Sequence, residues 1–159
     1  MNHIVYLALG ANLGNRLVNL NIAINNLTPQ MKVKKKSPVY ETPPWGFADQ
    51  PAFLNQVVMA ETDVEPEPLL KHLKRLEIAL GRAPSFQNGP RLIDIDILFY
   101  DDIMLNTASL VIPHPRLHER AFVLIPLADI APDLIHPVLN KSVREMLADV
   151  NTNGVEKIS

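Results

Sequence analysis

Asp94 and Asp96 stand two positions apart in the run Leu92 to Tyr100, LIDIDILFY, which otherwise reads as a buried strand. Side chains alternate along a strand, so Ile93, Ile95 and Ile97 are expected on a core face and both carboxylates on the other. The rise of the strand would hold the acids about 6 to 7 Å apart. They repel at that distance unless solvent, a guanidinium or a metal ion compensates. Two solvated acids on a half-exposed strand are the plain reading. Arg91 just before the strand favours another: paired hard oxygens beside a fixed cation suit a magnesium-bound polyphosphate, since magnesium takes one or two carboxylates and fills its shell with water and phosphate. Zinc fits less well, because the five histidines show no HExxH spacing and there is no cysteine.

Arg82, Arg91, Arg116 and Arg120 form a candidate phosphate-binding set, with His114 in the loop that carries the last two. Arg82 and Arg91 bracket a proline-bounded loop that could close over a nucleotide. No GxxxxGK[ST] sequence is present, and the turn Gly10-Ala11-Asn12-Leu13-Gly14 reads as strand-to-helix geometry before it reads as a phosphate cradle. Glu77 falls at the margin of an apolar helical stripe and needs a partner, either an arginine of a neighbouring element or a ligand. Phe53 and Asn55 share a strand face, where a ring and a side-chain amide can stack on a flat heterocycle and read its edge. Phe122 and the stiff stretch Thr42-Pro43-Pro44-Trp45-Gly46 could complete that pocket.

Positioning these residues requires a scaffold. His3 to Gly10 is apolar on both faces and suits a central strand. Leu17, Leu20, Ile24 and Leu27 recur at helical spacing, predicting a helix over 15–27. Lys32 to Tyr40, rich in lysine, reads as an edge strand, and Phe53 to Glu61 as another strand. Leu69, Leu70, Leu73, Leu76 and Leu80 stripe a helix over 66–80. Leu92 to Tyr100 is the fourth strand. The order β-α-β-β-α-β predicts an α+β domain with a ferredoxin-like βαββαβ core, an antiparallel sheet carrying packed helices. Extra short helices are expected over 121–130 and 142–150, and a loose tail over 151–159.

Bulk composition agrees with one domain spanning residues 1–159: 47% apolar and 20% charged residues suffice for a core. The net charge of -2 argues against a nucleic-acid or anionic-membrane coat protein. The absence of cysteine excludes a disulfide framework. With no run approaching the ~20 apolar residues of a membrane span, a cytoplasmic protein is expected.

The stretches ALGANLGNR, YETPPWG, DQPAFLNQVV, GPRLIDIDIL, IPHPRLHERAFVLIPL and IAPDL, in this order, resemble the 6-hydroxymethyl-7,8-dihydropterin pyrophosphokinases over residues 4–137. The resemblance implies transfer of pyrophosphate from ATP to the pterin hydroxymethyl group in folate biosynthesis, by a monomer working without nucleic acid or membrane. It implies that Asp94 and Asp96 bind two Mg2+ ions, and that Arg82 and Arg91 stabilise the transferring phosphates. Glu77, Ile97, His114, Arg116 and Arg120 would join them around ATP. Thr42, Pro43, Trp45, Phe53, Asn55 and Phe122 would bind the pterin. Pro84, Gln87 and Asn88 depart from the family pattern, in which basic and tryptophan residues are usual in this loop. Weaker nucleotide binding is the expectation that follows.

Overall fold

The computed structural model describes residues 2–44, 49–81 and 92–158. Trp45, Arg82, Pro84, Gln87, Asn88 and Arg91 lie outside them. Strand β1 (His3–Ala11) pairs antiparallel with β4 (Phe53–Thr62) on one side and β5 (Asp94–Tyr100) on the other. It is therefore central, and both of its faces are covered. Val5, Leu7 and Leu9 pack with Leu20 of α1 (Arg16–Asn25) and with Leu69 and Leu73 of α2 (Pro66–Ala79). Tyr6 and Ala8 face a second core with Val123, Leu124 and Leu127 of α3 (Ala121–Ile130) and Met146 of α4 (Val143–Ala148). Each fully buried leucine in these layers contributes about 1.5 to 3 kcal/mol of transfer free energy. The expected α+β class, with an antiparallel sheet, packed helices and additional C-terminal helices, is what the chain adopts.

Local chemistry explains where the elements differ from expectation. The edge strand foreseen over 32–40 is two strands, β2 (Met31–Lys36) and β3 (Tyr40–Thr42), which follow one another along the same side of β4. Pro38 has no N–H to donate to a ladder, so the pairing breaks there. Ser37 bridges the gap, donating its N–H to the Val57 carbonyl (2.9 Å) and accepting the Val57 N–H on its hydroxyl (2.9 Å). Helix α1 starts at Arg16 because the Asn15 side chain caps it by accepting the Val18 N–H, and it ends at Asn25, two residues before the expected stop. Ser142 and Glu145 form a reciprocal capping box at the start of α4.

Two further pairings had no sequence signal. Strands β6 (Leu105–Asn106) and β7 (Val111–Ile112) make a small hairpin beside β5. The segment expected to be a loose tail contains β8 (Glu156–Lys157), which pairs antiparallel with Tyr40 and Glu41 of β3. The Ile158 N–H continues this ladder to the Val39 carbonyl. A three-residue strand paired with β4 has open backbone groups along its other side, and the chain's own end covers them.

Candidate active site

Register decides which side chains meet. Across three strands, Asp94 of β5 lies opposite Gly10 of β1, and Gly10 opposite Asn55 of β4; the next row runs Asp96, Ala8, Val57. The acid pair and the Asn55 amide therefore share one sheet face, separated by the smallest residues available. A pocket of roughly 910 Å³, solvent mouth included, opens over this floor. Ile93, Ile95 and Ile97 turn the other way into the core, as alternation demanded. A Cβ on Gly10 would sit 3.3 Å from Asn55 Oδ1 and 3.8 Å from the Phe53 ring, so a side chain there would crowd the pocket. Ala8 and Gly10 leave this floor open by being small, a contribution no chemical motif announces.

The acidic wall is electrostatically loaded. Burial, and then the adjacent Asp94 carboxylate, push Asp96 up to about 7, while Lys74 and Arg120 pull it down. In the same pocket, the His114 backbone N–H donates to the Leu98 carbonyl (3.0 Å), and the ring Nδ1 accepts the Arg116 backbone N–H (3.1 Å). Burial, and then Arg120, lower His114 to about 4, so its imidazole is neutral near pH 7 with the proton on Nε2. Arg120 lines the pocket with its guanidinium carbon 5.6 Å from the Phe122 ring centroid, and burial lowers its pKa despite the nearby Asp96. Its place follows from the fold: it ends a short 3-10 turn (Leu117–Glu119) and caps the start of α3. Arg116 stands on the same turn with Nε 3.3 Å from Glu119 Oε2, outside the pocket lining.

The opposite wall fits a flat ring. Phe53 from β4 and Phe122 from α3 both line the pocket. Asn55 is buried, and its Nδ2 donates to Thr42 Oγ1 (2.9 Å), which fixes the amide plane. Thr42 and Pro43 close this side.

Two of the partners that Glu77 takes were not foreseen in the sequence. Its carboxylate, 1% exposed, accepts the Ile95 N–H (2.7 Å) and lies 3.4 Å from Lys74 Nζ. It thus satisfies the outer edge of β5 at the residue between the two aspartates. Backbone groups alternate sides along an antiparallel strand, so Ile97, like Ile95, directs its N–H and C=O away from β1 toward that edge. Lys74 is the charged neighbour that sequence reasoning missed; its i, i+3 spacing to Glu77 was the available signal.

The donor set suits a magnesium ion: two carboxylates on one face, one of them pushed upward by burial and then by its like-charged neighbour, form a site that a divalent cation would relieve.

Fold and pocket together define a small α+β domain in which an aromatic and amide corner and an acid pair share one pocket. The family described as 7,8-dihydro-6-hydroxymethylpterin-pyrophosphokinase matches residues 6–132, and the chain belongs to that family. It is 44% identical over 155 residues to a 2-amino-4-hydroxy-6-hydroxymethyldihydropteridine pyrophosphokinase of Methylorubrum extorquens, covering 96% of this chain and 97% of that protein. It is 42% identical over 153 residues to the folic acid synthesis protein FOL1 of Dictyostelium discoideum, covering 96% of this chain and 23% of that protein. The chain spans about a fifth of the length of that relative and of the Pneumocystis carinii folic acid synthesis protein. Its fold matches a crystal structure of Plasmodium falciparum HPPK-DHPS with pteroate at a TM-score of 0.75 and 20% identity, over 92% of this chain and 42% of that one.

Proposed function

We propose that this chain transfers pyrophosphate from ATP to 6-hydroxymethyl-7,8-dihydropterin, giving the pterin diphosphate and AMP. The observation that carries the reading is the pair of rows Asp94-Gly10-Asn55 and Asp96-Ala8-Val57. They set the amide corner and the acid pair two strand spacings apart, about 10 Å, the span of a two-ring heterocycle with a one-carbon arm. Asn55, Thr42 and Pro43 receive the edge of the pterin, with Trp45 from the same loop, and Phe53 and Phe122 receive its faces. The hydroxymethyl group then points toward the acids.

Asp94 and Asp96 would hold two Mg2+ ions, which when bound supply neutralising charge to the triphosphate. Arg82, Arg91, His114, Arg116 and Arg120 bind and orient the phosphates, and the outward backbone of Ile97 meets adenine, with Glu77 holding that edge in place. The hydroxymethyl oxygen attacks the β-phosphorus as the bond to the α,β-bridging oxygen breaks; AMP leaves with that electron pair and the hydroxyl proton passes to solvent. Such a reaction asks for alignment and charge stabilisation more than for a protein nucleophile. Neutral His114 offers an N–H and Arg120 a guanidinium toward the charge that develops. Among the described residues no helix is long and apolar enough to cross a membrane; we place the enzyme in the cytoplasm as a monomer acting on small molecules.

The test is a product assay with ATP, magnesium and the hydroxymethyl pterin. AMP must appear only when pterin is present, and Asp96→Ala must lower turnover at least about 10²-fold, the cost of losing one electrostatic stabiliser. Formation of ADP, or near-normal turnover in the variant, defeats the assignment.

A further inference from the structure

The turn Asn12-Leu13-Gly14-Asn15 between β1 and α1 does more than reverse the chain. It is knitted internally, with Asn19 Nδ2 donating to the Leu13 carbonyl (3.0 Å), Asn15 capping α1, and Gly14 at φ +65. From this fixed base two side chains reach the stems of the segment that joins β3 to β4. Arg16 Nη1 donates both to Glu41 Oε2 (2.6 Å) in β3 and to the Ala52 carbonyl (3.0 Å) just before β4. Asn12, 1% exposed, donates from Nδ2 to Gln50 Oε1 (2.7 Å) and to the Pro51 carbonyl (3.0 Å).

We infer that Arg16 is a positioning residue for the pterin corner, clamping the two stems so that Thr42 and Phe53 stand at their binding distance. The inference rests on the pterin reading above. Glu41 and Ala52 immediately precede Thr42 and Phe53, and those two residues face each other in the ladder. Strand β3 is only three residues long, so backbone pairing alone holds it weakly. The Arg16 and Glu41 side chains are about a third exposed, and an ion pair of that kind adds little stability by itself. Its value is geometric, because one nitrogen ties both stems to one rigid turn. The acid pair lies on β5, across the central strand, and does not depend on this tie.

The experiment measures binding by the 159-residue chain of 6-hydroxymethyl-7,8-dihydropterin, with a non-hydrolysable ATP analogue and magnesium, and separately of the analogue alone. In Arg16→Met the pterin Kd should rise about tenfold, equivalent to one decade of binding constant, while the Kd of the analogue alone stays as in wild type. Glu41→Gln should move the pterin Kd the same way, and the double variant should be no worse than Arg16→Met. An unchanged pterin Kd in Arg16→Met, or an equal loss of nucleotide binding, overturns the clamp. If the wild-type chain bound no pterin, the functional reading would fall first. Amide exchange would then judge the clamp separately: faster exchange over residues 41–42 and 52–54 in Arg16→Met supports it, and unchanged exchange overturns it.

Discussion

At the scale of single residues, the pocket works through pairs whose environments push them apart. Asp96 is driven upward by burial and by Asp94, whereas His114 is driven downward by burial and by Arg120, so one side of the pocket resists negative charge and the other resists positive charge. On the proposed function, a magnesium-bound triphosphate would supply cations to the first and oxygens to the second. The His114 shift also makes a prediction for stability. Its pKa falls from the usual 6.5 to about 4 on folding, so between those values the unfolded chain binds a proton that the folded chain refuses. The associated stability is present above the upper value and is lost as pH falls through the window. Chemical denaturation at about pH 7 and about pH 5 should therefore show a smaller loss on acidification for His114→Asn than for wild type. Burial also lowers His72 and His136, which act in the same sense, while Asp96, raised to about 7, acts in the opposite sense over this window, so the reading is the difference between the two proteins. An identical loss in both proteins would show that His114 is protonated freely in the fold.

At the scale of elements, β3 decides the geometry of the corner proposed to bind the pterin, and several parts of the chain converge on it. Strand β4 pairs with it on one side and β8 on the other, and the Tyr40 hydroxyl donates to Asp129 near the end of α3. Gly154, at φ +85, lies against Pro43, where a Cβ would come within 3.3 Å of the proline ring. The positive φ and the close approach together favour glycine there. Removing residues 151–159 should consequently weaken pterin binding more than nucleotide binding, because the lost pairing borders Thr42 and Pro43 while the acid pair sits on β5. Parallel titrations of the truncated chain with pterin and with a nucleotide analogue check this. Equal weakening of both would point to general destabilisation instead.

At the scale of the whole molecule, one sheet divides two apolar cores, and the pocket opens where the upper core gives way to small and polar residues. Ligands that bridge β4, β1 and β5 from above must lock strands on which both cores depend. Each ligand that binds only the folded chain stabilises it by RT ln(1 + [L]/Kd), about 2.7 kcal/mol at a hundredfold excess over Kd. Thermal unfolding should shift upward with magnesium and a nucleotide analogue, and further when pterin is added. No shift with either ligand would mean that neither engages the sheet.

Much of this protein could be read before folding was considered. Alternation in LIDIDIL placed the isoleucines inward and the acids outward, and the leucine stripe of 66–80 marked a helix, because both signals are periodic and local. The side chains facing the pocket likewise had recognisable chemistry. Tertiary structure decided what periodicity cannot carry. It set Gly10 and Ala8 between the acids and Asn55, since register is a property of paired strands rather than of one segment. It set the Glu77 carboxylate against a backbone N–H of β5, turned the strand-to-helix turn into an anchor for residues twenty-five or more positions away, and folded Glu156–Lys157 onto β3. These are contacts between distant segments, and their energies exist only once the sheet has brought those segments within hydrogen-bonding reach.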